Sequence, residues 1–157
     1  MNLTLPQQDI YLEYLFYLNE PIHNIGAKIE IKGELDVEIL KKAYVELINQ
    51  HDTYRTVFAY NQDSIEQQVK ELHDSSLSVI DFSGFINPNE EADTFMQKEF
   101  LKPYDLISGN FLYTFILVKV NDNLHYIFSN THHIINDGMG TSLMFQRFVQ
   151  NYNEILE

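Results

Sequence analysis

Apolar positions recur along the chain with two periods, near 3.6 and near 2 residues, and their order lays out a mixed helix-and-strand protein. Thr4-Leu5-Pro6-Gln7 reads as a capping box with Pro at an early helical position. It predicts a helix over Pro6–Leu18 that buries Ile10, Tyr11, Tyr14, Leu15 and Leu18, with Asn19 to Pro21 as its stop. Ala27, Ile29 and Ile31 alternate with Lys28, Glu30 and Lys32, the pattern of a half-buried strand. Beyond Gly33, Asp36 caps a second helix to about Gln50, with Leu40, Tyr44, Leu47 and Ile48 inward. Tyr54 to Tyr60 is the next strand, so the first part has β-α-β order.

Weaker strand signals follow at Ile65–Lys70 and Leu77–Phe82, with a capped helix from Asn87-Pro88 to about Leu101. Phe111–Val120 and Leu124–Asn130, joined by Asn121-Asp122-Asn123, form the clearest hairpin. Leu143, Met144, Phe148, Tyr152, Ile155 and Leu156 then mark a helix over about Thr141–Leu156. Asp81–Glu91 is the expected flexible loop. Helices and strands are interspersed, so the expected fold is an α/β two-layer sandwich, a mixed sheet with helices packed on it. Because Glu154-Ile155-Leu156-Glu157 lies inside a helical pattern without a stop signal, a cut through a longer polypeptide is expected.

Composition narrows the function classes. A chain of 157 residues, 45% hydrophobic and 13% aromatic, suits one folded unit with a real core. The formal net charge of -13, from 23 acidic and 10 basic residues, repels phosphate backbones and anionic lipid. Nucleic acid and membrane surfaces are therefore not expected partners. The absence of Cys removes disulfides, thiolate metal sites and thiol nucleophiles, so any thioester must come from a substrate or partner. No apolar run approaches the length of a membrane span, and no basic-then-apolar leader pattern is present. A cytoplasmic location is expected.

Chemistry concentrates in Thr131-His132-His133-Ile134-Ile135-Asn136-Asp137-Gly138, where a strand gives way to a helix. Such a junction puts side chains beside main-chain N–H groups at the end of a rigid element. If the strand persists, His132 shares a face with Tyr126 and Phe128, and His133 shares the other with Ile127 and Ser129. Only one imidazole can then point at a given cleft, and strand geometry alone does not say which. A bare pair of this kind is ordinarily structural. A metal held by His132, His133 and Asp137 is the weaker reading, because adjacent histidines point apart and a fourth ligand is lacking.

The stretch resembles the HHxxxDG motif of nonribosomal peptide synthetase condensation domains, which have the chloramphenicol-acetyltransferase-like fold. Two further segments agree in order and spacing. Leu5-Pro6-Gln7-Gln8-Asp9-Ile10-Tyr11 is similar to the family's N-terminal helix motif. His51-Asp52-Thr53-Tyr54-Arg55-Thr56-Val57-Phe58 is similar to its RHExLRTxF segment. Pro103-Tyr104-Asp105-Leu106 and Gly109-Asn110-Phe111-Leu112 also match the run before the hairpin. Thr131, Met139-Gly140 and Tyr54 depart from the methionine, tryptophan-serine and leucine frequent in the family. Family domains have two lobes, and residues 1–157 correspond to the first, the C-terminal lobe lying outside the chain.

The resemblance implies amide-bond formation. A donor acyl thioester and an acceptor aminoacyl thioester arrive on the phosphopantetheine arms of carrier protein domains, and no cofactor is bound directly. It implies that His133 faces the tunnel between lobes and orients the amine, while His132 turns inward. It further implies a structural Arg55–Asp137 ion pair pinning the loop. Gly138 is expected to permit a tight turn that a side chain would obstruct, with an N–H near the next helix's N-terminus able to meet oxyanion charge. His51 takes no chemistry, and His23, His73 and His125 are expected at the surface or edge. The implied partners are carrier domains, the C-terminal lobe and a downstream adenylation domain. An epimerisation domain of the same fold, a non-catalytic carrier-docking lobe and, more remotely, an acyltransferase using coenzyme A are the alternatives.

Overall fold

The structure, a computed structural model, describes residues 1–71 and 76–157. Its centre is a four-stranded sheet in the order β1-β6-β5-β4, built from Asn24–Lys32 (β1), Ser78–Asp81 (β4), Tyr113–Asn121 (β5) and Leu124–His132 (β6). β6 pairs antiparallel with both β1 and β5, whereas the short β4 runs parallel to β5. Thr56–Asn61 (β2) and Ser64–Val69 (β3) form a separate antiparallel hairpin. The β-α-β order read for the first part therefore does not describe one sheet, since β2 leaves the plane that β1 belongs to.

Alternation along the central strands divides the core in two. Phe115, Leu117 and Ile127 face Leu40, Tyr44, Leu47 and Phe148, contributed by Val37–Gln50 (α2) and Gly138–Leu156 (α4). The helix-on-sheet sandwich and the mixed sheet are thus as expected. Ile116, Val118, Tyr126 and Phe128 face the opposite way, where Pro88–Phe100 (α3) covers them with Ala92 and Met96. Burying both faces explains why β5 and β6 read as nearly continuous apolar runs.

Leu5–Phe16 (α1) starts with the expected capping box. It buries only Tyr14; Leu15 and Leu18 are exposed, and Ile10 and Tyr11 are half-buried. The helix ends at Phe16, so Leu18 lies beyond it. Asp36 caps α2 by accepting from the Ile39 N–H at 3.0 Å. Of residues 81–91, read as a flexible loop, Asp81 ends β4 and 88–91 open α3. The stretch between is tied by Ser83 N–H to Asp81 Oδ1 at 2.8 Å and Phe85 N–H to the Phe82 carbonyl at 3.0 Å. Among the described residues no helix is long and apolar enough to cross a membrane.

Gly26 in β1 shows how closely α3 sits on the sheet. A Cβ there would lie 2.5 Å from the Phe100 ring. Gly26→Val is therefore expected to cost about 1–3 kcal/mol by overpacking, measured as a lower chemical-denaturation midpoint. Combining it with Phe100→Ala should recover part of the loss.

Candidate functional site

β6 runs unbroken to His132, and its alternation carries through the histidine pair. His132 falls on the Tyr126/Phe128 face and is 2% exposed, against the rings of His23 (5.3 Å between centroids), Tyr14 and Tyr104 (6.3 Å each). Its Nδ1 accepts the Ile134 N–H at 3.1 Å. His133 takes the other side and is exposed. Its main-chain N–H donates to the His23 carbonyl at 2.8 Å, which adds one rung beyond the Asn24–His132 pair. Its Nδ1 lies 2.9 Å from the Asn136 carbonyl oxygen. A carbonyl can only accept, so Nδ1 carries the hydrogen and Nε2 is the nitrogen left to take a proton.

The loop after His133 is held from three directions. Gln7 of α1 donates to the Ile134 carbonyl at 3.5 Å. Thr53, in the 3₁₀ turn Asp52–Arg55, donates its hydroxyl to the Ile135 carbonyl. The Asn136 amide donates to Tyr54 Oη at 3.4 Å and to Thr141 Oγ1 at 3.0 Å. Asp137 then caps α4, its carboxylate accepting the Gly140 N–H at 2.6 Å.

Burial sets the protonation of the inner ring. Desolvation, helped by the neighbouring His23 and His133, pulls the His132 imidazole down to about 3. His23 is also lowered, by burial first, with Glu13 opposing at 3.7 Å and His133 adding to the effect. Among the described residues no three ligating side chains converge, and the two adjacent rings lie on opposite sides of the strand.

Two segments distant in sequence, α1 and the 3₁₀ turn, therefore meet on the histidine loop. The family model for the condensation domain matches residues 1–157. The chain belongs to the condensation-domain family. A plipastatin synthase protein from Bacillus subtilis (strain 168) is 31% identical over 131 residues, 83% of this chain and 5% of that protein. A dimodular nonribosomal peptide synthase from the same organism is 27% identical, covering 99% of this chain and 6% of its own length. The starter condensation domain of rhizomide synthetase RzmA superposes with a TM-score of 0.87 at 27% identity, covering 96% of this chain and 36% of that one. The chain thus spans about a third of that solved condensation domain and a small fraction of the curated relatives.

Within this condensation-domain chain, several residues stand differently from what the sequence led one to expect. The Arg55–Asp137 ion pair is not formed. Arg55 instead reaches Asp52, three residues back in the same turn, and the Lys70 carbonyl at 2.8 Å. The Asp137 carboxylate is occupied as a helix cap. Gly138 is not the constrained glycine, because a Cβ there meets nothing within 4 Å. Gly140 is, with Asn136 Oδ1 only 2.1 Å from its would-be Cβ. His23 and His125 are buried rather than peripheral. His125 sits in the central strand β6, and His23 packs on His132. The His51 ring bonds locally through Nδ1 to the Leu47 carbonyl, 2.9 Å away. His73 lies outside the described residues. Sequence reasoning missed Thr53, Asn136 and the His23 carbonyl; Thr53 and Asn136 each carried a signal, their places inside the second motif and the histidine motif.

Two tests follow from this geometry. A folded pKa near 3 beneath an unfolded value near 6.5 means that acid protonates the unfolded state first. The His132 contribution is complete above about pH 6.5 and is lost as pH falls toward 3, at up to about 1.4 kcal/mol per pH unit. His132→Asn, which keeps an acceptor for Ile134 N–H, should flatten this acid limb in thermal melts. Asp137→Ala should cost about 0.5–2 kcal/mol, the value of a lost cap, rather than about 3–5 kcal/mol for a broken buried pair. Asp137→Asn, which still caps but carries no charge, should restore the midpoint.

Proposed function

We propose that this chain is the N-terminal lobe of a condensation domain, which in the complete domain joins a carrier-bound donor acyl thioester to a carrier-bound acceptor amine. The observation that carries this reading is the one exposed imidazole of the adjacent pair: His133 faces out with Nδ1 engaged, while its neighbour is sealed inside. Coverage of 36% of the rhizomide synthetase condensation domain supports the lobe assignment. The relatives are nonribosomal peptide synthases, which supports carrier proteins as partners. Phosphopantetheine enters as the substrates' tether, not as a resident group.

In this reading the acceptor amine attacks the donor thioester carbonyl, forming a tetrahedral carbon. His133 Nε2 accepts the proton that the amine nitrogen sheds. The C–S bond breaks, the amide forms, and the thiolate leaves and gains a proton. Gly138, in the first turn of α4, offers its N–H to the oxyanion. His132, Asp137 and Arg55 act structurally, by packing, capping and tying the 3₁₀ turn to β3.

Magnitudes weight the steps. A free α-amine has a pKa near 8, so roughly a tenth is already neutral at pH 7. General-base assistance is worth about 10²–10⁴, whereas well-oriented reactants reach effective molarities of about 10⁵–10⁸ M. Orientation of the amine is the larger share of the work. In the complete domain, His133→Ala should slow single-turnover amide formation by about 10²-fold or more, and an unchanged rate would refute the role. Residues 1–157 alone should form no detectable amide. Solvent deuterium entering the donor α-carbon without acceptor would instead indicate epimerisation.

A further inference from the structure

We propose that Asn136 is a positioning residue that locks the His133 ring in its Nδ1–H form, and that Tyr54 and Gly140 hold Asn136 in place. The catalytic meaning of this lock rests on the function proposed above, but the lock itself is a property of the chain.

Asn136 acts through both of its polar ends. Its main-chain carbonyl receives the His133 Nδ1 hydrogen at 2.9 Å. Its side-chain amide spends its hydrogens on Thr141 Oγ1 at 3.0 Å and Tyr54 Oη at 3.4 Å. Each end orients the other, because the residue is half-buried and spans the gap between the 3₁₀ turn and α4. Tyr54 is a firm anchor: it is 2% exposed and meets Tyr113 and Phe115 edge-on at 5.4 and 5.5 Å. Desolvation also raises its hydroxyl well above the ordinary range, so it stays a neutral hydrogen-bonding group.

Gly140 supplies the space. Asn136 Oδ1 stands 2.1 Å, and its Cγ 3.2 Å, from the position of a Cβ at residue 140. Any side chain there would displace the amide from the first turn of α4. The glycine's backbone conformation is an ordinary helical one, so its value here is steric and not conformational.

Two adjacent histidines are thereby set to opposite tautomers. His132 Nδ1 accepts from Ile134 N–H, which puts the hydrogen of the neutral ring on Nε2. His133 Nδ1 donates to Asn136, which leaves Nε2 bare. A free neutral imidazole prefers its hydrogen on Nε2, so the lock works against the intrinsic preference of His133 and needs a fixed carbonyl.

The test is a long-range proton–nitrogen correlation spectrum of the 157-residue chain labelled with 15N in its histidine rings, above pH 8. His133 and His132 are assigned by His133→Gln and His132→Asn. In the unsubstituted chain, His133 should show a protonated Nδ1 and an unprotonated Nε2, with His132 reversed. Gly140→Ala and Asn136→Ala should move the His133 Nδ1 signal toward the unprotonated range and Nε2 the other way. Tyr54→Phe, which deletes one oxygen, should do so to a smaller extent. His132 should keep its pattern in every variant, which reports an intact strand end. An Nε2-protonated His133 in the unsubstituted chain overturns the lock. A His133 pattern identical in all three variants while His132 is retained overturns the role of Asn136. Failure of amide formation in the complete domain would leave these spectra unchanged and count only against the function.

Discussion

One main-chain hydrogen bond, from His133 N–H to the His23 carbonyl at 2.8 Å, decides which imidazole is available. It is the rung that follows Asn24–His132 in a nine-residue antiparallel ladder, with β5 pairing along the other edge of β6. Side-chain direction alternates with every residue, so a slip of one position would exchange the two rings. His133 would then enter the pocket of His23, Tyr14 and Tyr104, and His132 would face water. Both neighbours of β6 would have to shift together, along with the apolar residues on two buried faces. The choice between two chemically identical side chains is thus made by the register of the whole sheet.

Below that rung, the loop is braced by several modest contacts. Gln7, Thr53 and Tyr54 each reach a successive residue of Ile134-Ile135-Asn136, and Asp137 caps the helix that follows. A neutral hydrogen bond contributes about 0.5–1.5 kcal/mol, and a cap about 1 kcal/mol. A single buried ion pair would concentrate comparable energy in one contact, with a large penalty if either charge were left alone. Arg55 shows the difference: its guanidinium partners are Asp52, which is largely exposed, and a carbonyl at the end of β3. That arrangement ties the 3₁₀ turn to the hairpin and leaves the histidine loop to neutral donors.

Much of this could be read from the chain without coordinates. Alternation placed His132 with Tyr126 and Phe128, and the helix periods of α2 and α4 located the inner core at Leu40, Tyr44, Leu47 and Phe148. What alternation cannot show is which elements share a sheet, and β2 looked like a partner of β1 because both are strands with a helix between them. Main-chain acceptors also leave no trace in sequence: the carbonyls of His23 and Asn136 would be present whatever the residue. Arg55 and Asp137 are paired differently from the expectation, since Asp52 is three residues from Arg55 and Asp137 is drawn to the N-terminus of α4. Tyr54 and Gly140 stood out as departures from the family pattern with no reason attached. In three dimensions both touch Asn136, one by its hydroxyl and one by its missing side chain.

The exposure of His133 bears on how the proposed reaction would work. An imidazole open to bulk water can exchange protons freely, but it cannot hold an amine in one orientation, because water competes for Nε2. Enclosure has to come from a second surface. The flank of the site is suited to receive one: Met139 and Leu143 lie one turn apart on α4, just past Asp137, at 75% and 57% exposure. Single exposed apolar residues are ordinary, yet here a pair of them follows the outward imidazole of the histidine pair on the next helix. On the proposed reading the labour is divided. This chain fixes the ring, its tautomer and its height above the sheet, and the facing lobe excludes the water that would otherwise take the amine's place.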